Sequence, residues 1–98
     1  MNEKRLSGLM GLCVRARQGV FGEGAAMNAM RGGEIGLLLL DETISAGMAE
    51  KLERLAGRTA VPVHRIPDGL LEAATGKPGM VMAVRKGGFA EQIVDCLA

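Results

Sequence analysis

The sequence has almost no aromatic side chains: neither Trp nor Tyr occurs, and Phe21 and Phe89 are the whole complement apart from one His. Proteins that hold unpaired bases by stacking need several rings on one surface, so that mode of nucleic-acid binding is excluded, and both Phe are expected in the core. Cysteine is nearly as scarce. Cys13 and Cys96 lie far apart with no zinc or redox spacing, and in a reducing cytoplasm both are expected as buried small apolar residues rather than as a disulfide. His64 has no Cys or second His beside it, and there is no Ser-His-Asp order. Neither a metal site nor a catalytic constellation is therefore supported, no cofactor is expected, and His64 reads as a structural imidazole.

An excess of one charge sign is also missing. Twelve Lys and Arg stand against eleven Asp and Glu, a formal net charge of +1, which excludes disorder by self-repulsion and a strongly polybasic binder. Long hydrophobic runs are absent too: Ile35 to Leu40 falls far short of the ~20 apolar residues that a membrane-spanning helix needs. Lys4 and Arg5 followed by Leu6 to Val14 imitate a secretory leader, but Arg15 and Arg17 stand where a small-residue cleavage site belongs. Leu12 before Cys13 does not fit a lipoprotein signal either, so a cytoplasmic protein without a membrane partner is expected.

What is present suits one compact unit. The 98 residues are 48% hydrophobic, enough for a single core, and fifteen Gly and three Pro are scattered as punctuation rather than gathered into a linker. One domain over residues 1–98 is expected. Leu6, Leu9, Met10 and Cys13 form the apolar stripe of a helix ending near Arg15 to Gly19. Val20-Phe21 is a short extended piece, and Glu23 to Arg31 reads as a second helix stopped by Gly32-Gly33. Ile35 to Leu40, a continuous apolar run, reads as a strand buried on both faces and the centre of a sheet.

Ser45 can cap a helix from Ala46 to Ala56, with Met48, Leu52 and Leu55 inward and Glu50 and Arg54 available as a pair. Val61 to Ile66 reads as a strand whose Pro62 end lacks one ladder bond. Asp68 is expected to cap a short helix from Gly69 to Thr75, Met80 to Val84 to form another buried strand, and Phe89 to Leu97 to close the chain as an amphipathic helix. Helices alternating with buried strands predict an α/β sandwich with about four strands and helices on both faces of the sheet.

The most suggestive local feature is Phe21 to Ala26. Small residues at a helix start let a ligand approach free N–H groups, where the helix dipole favours a phosphate; equally, Gly22 and Gly24 make a tight strand-to-helix turn. Met27 stands where the third Gly of a dinucleotide fingerprint belongs, and Gly76-Lys77-Pro78 lacks the features of a P-loop. Asp41-Glu42 after the central strand can hold a cation, position a substrate or simply precede a helix.

The charges are unevenly spread. Residues 1–33 carry five cations and two carboxylates, residues 34–57 two and five, and residues 58–98 five and four. If the end of the first helix, the Gly-rich turn and Arg65, Lys77, Arg85 and Lys86 meet on one surface, they form a modest phosphate-binding patch; otherwise they are ordinary solvated charges.

In order, these pieces resemble the kink-turn RNA-binding ribosomal protein family, the L-seven-Ae and L-thirty-e group, and within it the bacterial YlxQ-like members. The resemblance covers nearly the whole chain. It rests on Leu9-Met10-Gly11-Leu12 leading into Arg15 to Val20, then Gly22-Glu23, then Ala29 to Gly33 before Leu37 to Leu40. Val61-Pro62-Val63, Gly76-Lys77-Pro78 and Gly88-Phe89-Ala90 follow in the same order.

The resemblance implies a three-layer α/β/α sandwich with a mixed sheet. It also implies non-catalytic binding of structured, kink-turn-like RNA, ribosomal RNA included, through the start of the second helix and the loop from Ile66 to Gly69. On that basis Gly22, Glu23, Gly24, Ala25 and Asn28 form the helix part of the site and Ile66 and Pro67 an apolar cap, while the uneven charge adds Arg31, Arg15, Arg17, Lys77, Arg85 and Lys86 as neighbouring cations. Where the family has Asn or Glu, then Glu, then Lys three positions on, this chain shows Gly24, Ala25 and Asn28. Two other classes stay open: a protein-interaction module that kept the fold and lost the RNA site, and the substrate-recognition part of an RNA-modifying enzyme.

Overall fold

The computed structural model describes residues 1–98. Nine elements alternate along the chain: α1 (Glu3–Arg15), β1 (Gly19–Phe21), α2 (Glu23–Arg31), β2 (Ile35–Asp41), α3 (Ala46–Arg58), β3 (Val63–Ile66), α4 (Leu70–Thr75), β4 (Val81–Arg85) and α5 (Gly88–Leu97). The strands form one sheet in the order β1-β4-β2-β3. β2 and β3 pair in parallel across the α3 crossover, whereas β4 runs antiparallel to both β1 and β2, so the sheet is mixed as expected.

The two-residue side-chain period of the strands sorts the core into two layers. Leu38, Leu40, Val81 and Ala83 pack with Ala26, Met30, Leu52 and Ala56 of α2 and α3. Leu37, Leu39, Met82 and Val84 point the other way and pack with Leu6, Met10, Leu71 and Ile93 of α1, α4 and α5. With helices over both faces, β2 and β4 are apolar at successive positions rather than alternate ones, which is why Ile35 to Leu40 reads as an unbroken run. Cys13 and Cys96 are buried free thiols in the second layer, and burial pushes the Cys13 thiol up to about 11. That group stays protonated at neutral pH and is a packing residue.

Local expectations hold where one residue decides them. Ser45 Oγ accepts from the Met48 amide at 3.3 Å, and Arg54 meets Glu50 at 2.7 Å. Asn2, which sequence reading passed over, caps α1 by accepting from the Arg5 amide at 3.0 Å. Several boundaries differ: β1, β2 and α5 are each one residue longer than expected, and α3 runs on to Arg58. β3 starts at Val63 rather than Val61, because the Val61 amide closes the end of α3 on the Ala56 carbonyl and Pro62 has no N–H; the Pro62 carbonyl still accepts from Leu38. Asp68 does not cap α4: Gly69, left-handed at φ 74°, occupies the cap, and the Asp68 amide instead donates to Glu42 Oε1 at 3.0 Å. β4 runs from Val81 to Arg85, leaving Met80 outside the strand.

One glycine fixes the approach of a helix. The pairing of β2 with β4 slips between Ile35 and Leu37, and a Cβ on Gly36 would lie 3.2 Å from both Ala90 Cβ and the Lys86 Cα. The missing side chain lets α5 and the turn before it sit close to the sheet.

Candidate functional site

The chain direction in the sheet decides which side chains can meet. β1, β2 and β3 run one way and β4 the other, so one end of the sheet collects Phe21, Asp41, Ile66 and Val81 and the opposite end collects Gly19, Ile35, Val63 and Arg85. The seven residues of β2 hold the two ends about 20 Å apart.

At the first end, β1 turns into α2 through Gly22, whose φ of 88° suits glycine and whose amide donates to the Val81 carbonyl at 3.2 Å. No side chain caps α2, so the first-turn amides of Glu23, Gly24 and Ala25 are unspent within the helix. Gly24 and Ala25 are exposed, and nothing lies within 4 Å of where a Gly24 Cβ would be. Glu23 pairs with Lys51 Nζ of α3 at 3.0 Å, a partner the sequence did not reveal. One turn further on, exposed Asn28 accepts from Arg31 Nη1 at 3.5 Å.

Beside this helix start lies an open groove of about 520 Å³, walled by Gly22 and Glu23, by Thr43, Ile44, Ser45 and Met48, and by Gly79, Met80 and Val81. Met80 is 44% exposed, which makes it the apolar lip of the groove, and Thr43 Oγ1 stands 3.8 Å from its sulfur.

Asp41 is the hub beneath. Only 4% exposed, its carboxylate accepts from the Thr43 amide at 2.8 Å, the Thr43 hydroxyl at 2.6 Å and, from the other loop, the Gly69 amide at 2.9 Å. Burial by itself would raise the Asp41 pKa, but these hydrogen bonds hold it below the usual carboxylate value. The loops after β2 and β3 are thus tied to one ionised side chain. Oδ1 accepts two of these bonds and Oδ2 the third, and no three His, Cys, Asp or Glu side chains gather into a metal-binding group anywhere in the chain.

The residues singled out from the sequence divide between the two ends. Gly22, Glu23, Gly24, Ala25, Ile66 and Pro67 belong to the first end, while Lys77 lies in the loop between α4 and β4 that leads to Met80. Arg15 and Arg17 precede β1, Arg31 ends α2 on the way to β2, Arg85 ends β4 and Lys86 follows it, so all five stand at the opposite end. These five cations and the Gly-rich turn therefore do not form one patch, because strand direction separates them. Arg65 is paired with Glu53 and Arg85 with Glu34, each at 2.9 Å.

The expected apolar cap is corrected as well. Ile66 is 1% exposed and packs in the α1, α4 and α5 layer, while Pro67 is half-buried. The apolar surface next to α2 comes from Met80, with Ile44 and Met48 behind it. His64 is half-buried on β3, opposite Leu39.

No protein-family model matches the chain. It is 32% identical over 91 residues to the RNA-binding protein YlxQ of Bacillus subtilis, an alignment covering 91% of each protein. A protein of unknown function from Bacillus halodurans superposes with a TM-score of 0.88 at 28% identity, covering 93% of this chain and 94% of that one. The Giardia lamblia 15.5kD RNA binding protein superposes with a TM-score of 0.77, covering 96% of this chain and 82% of that one, and at 15% identity it shows the shared fold alone. None of the five helices is long and apolar enough to cross a membrane. With nearly a third of its residues identical across nine-tenths of its length, the chain belongs to the YlxQ family.

Proposed function

We propose that residues 1–98 act as a single cytoplasmic unit that binds structured RNA of the kink-turn type, ribosomal RNA included, without catalysing a reaction on it. The observation that carries this reading is a juxtaposition in a chain related to an RNA-binding protein: free amides at the start of α2 lie beside an apolar lip at Met80. A sharply bent RNA offers both matching features, a phosphate or base edge for the amides and an unstacked base face for the thioether.

Gly22, Gly24 and Ala25 let the RNA backbone come close because they project little or nothing over the first turn. Glu23, held by Lys51, and Asn28 supply acceptors for exocyclic amines, and the Asn28 amide group also donates. Pro67 and Lys77 contribute from the flanking loops. No step here needs a proton moved or a bond broken, so the work of the site is selection by shape.

The test is a titration of the purified chain against a kink-turn RNA and a straight RNA duplex of equal length, repeated with Met80→Ala. Preference for the bent RNA that shrinks in the variant supports the reading. Equal weak binding of both RNAs by the unaltered chain sinks it and turns attention to a protein partner for the Met80 groove.

A further inference from the structure

We infer that Arg15, Arg17 and Lys86 form a second RNA-binding surface, for the phosphate backbone alone, at the end of the sheet opposite the α2 groove. The inference rests on the RNA reading above but concerns different residues and a different kind of contact.

Register brings these cations together. Gly19 pairs with Val84, and the Arg85 amide donates to the Gln18 carbonyl at 2.9 Å, so Arg17 and Lys86 are the next residues outward from a bonded pair, Arg17 in the turn that ends on the Val14 carbonyl and Lys86 where its amide donates to the Glu34 carbonyl. Arg15 lies in the last turn of α1, two residues before. All three are exposed and none belongs to an ion pair, although Glu34 is close enough to hold the neighbouring Arg85 at 2.9 Å. Like charges on adjoining segments repel one another, and a bound anion relieves that repulsion. Arg17 also sits at φ 58°, a left-handed conformation that a long side chain rarely adopts. Ala16, Gln18, Arg85 and Lys86 wall a shallow cleft there; Lys86 lines it directly, and Arg17 is the residue between two of its walls.

The contrast with the groove end identifies the partner. Exposed Glu42 and Asp68 lie at that end, and Glu23 is neutralised by Lys51, so it offers RNA little net attraction. At physiological salt the Debye length is about 8 Å, well short of the separation of the two ends, and each end therefore acts on a polyanion independently. A chain of near-neutral total charge can in this way hold RNA by its phosphates at one end while reading its shape at the other.

The experiment compares the full chain with the Arg17→Gln/Lys86→Gln double variant on the kink-turn RNA and the straight duplex, with binding measured from about 50 to 200 mM salt. The variant is expected to lower the slope of log affinity against log salt by about 1.4–1.8 on both RNAs, and to weaken both by roughly tenfold or more at 0.1 M, leaving their affinity ratio unchanged. Arg17→Lys/Lys86→Arg, which keeps both charges, should restore affinity and slope. An unchanged slope in the charge-neutral variant, or no rescue by the charge-keeping one, overturns the inference. Loss of slope without any kink-turn preference in the unaltered chain upholds this surface and rejects the groove reading; preference without a slope change does the reverse. No binding of either RNA by the unaltered chain rejects both.

Discussion

The two ends of the sheet are built on opposite principles. At the groove end, a buried carboxylate ties two loops together and positions Thr43 under Met80, so shape is held by directed hydrogen bonds. At the other end, order comes from close packing at Gly36, and the exposed side chains are long, cationic and mostly unpaired. A fixed shape needs few degrees of freedom, whereas attraction to a polyanion tolerates flexible side chains and weak geometry. Separating the two lets each be built without compromising the other.

The sharpest way to break this contrast is at Asp41. Asp41→Ala removes the acceptor for three donors in a buried position and should cost about 2–3 kcal/mol, read as a large fall in Tm at pH 7. The effect should depend on pH in a defined direction. A carboxylate whose pKa is depressed on folding stabilises above its unfolded value near 4, and that contribution is lost as pH falls through the lower folded value. The gap in Tm between Asp41→Asn and the unaltered chain should therefore narrow below about pH 4; a gap constant down to about pH 2 would mean the carboxylate charge is irrelevant to the loops.

A smaller effect is expected from Gly36→Ala at the other end. The added methyl meets the Ala90 methyl and the Lys86 backbone at 3.2 Å, so α5 must shift, at a cost of about 1–2 kcal/mol in urea unfolding. No dependence on acid is expected there, and a pH-dependent loss would contradict a purely steric cause.

The smallest of the three has the opposite sign. Arg17→Gly relieves a left-handed backbone and should raise stability by up to about 1 kcal/mol, since the strain removed exceeds the entropy glycine adds to the unfolded chain. Destabilisation by this substitution would show that the Arg17 stem packs on the fold and is more than a displayed charge.

How much of this could be read from the residues alone follows from which features are local. β2 was legible because burial on both faces leaves a continuous apolar run, and the α3 start because Ser45 sits at the cap position. The α4 cap was misread because Asp68 and Gly69 both suit a helix start, and only the backbone shows that the left-handed Gly69 takes the position. Met80 was hidden for a different reason: a methionine before a buried strand looks the same in sequence whether it faces the core or solvent. The Asp41-Glu42 pair drew attention as a possible cation site, yet the Thr43 that completes an Asx-type turn was the better clue to its role. Least legible was the division of the cations. It depends on β4 lying between β1 and β2, an arrangement that no local pattern encodes.

That same placement of β4 has a consequence for how the chain acquires its structure as it is synthesised. β1 has no sheet neighbour except β4, and β2 can complete only its β3 side beforehand, so residues 19–21 wait for a partner that follows them by some sixty positions. Closing a loop that long costs entropy before any contact repays it. The α2 start hangs from β1 and from the Val81 carbonyl, so the groove cannot be completed before residue 81 is available, and a nascent chain stalled before that point would lack one of its walls.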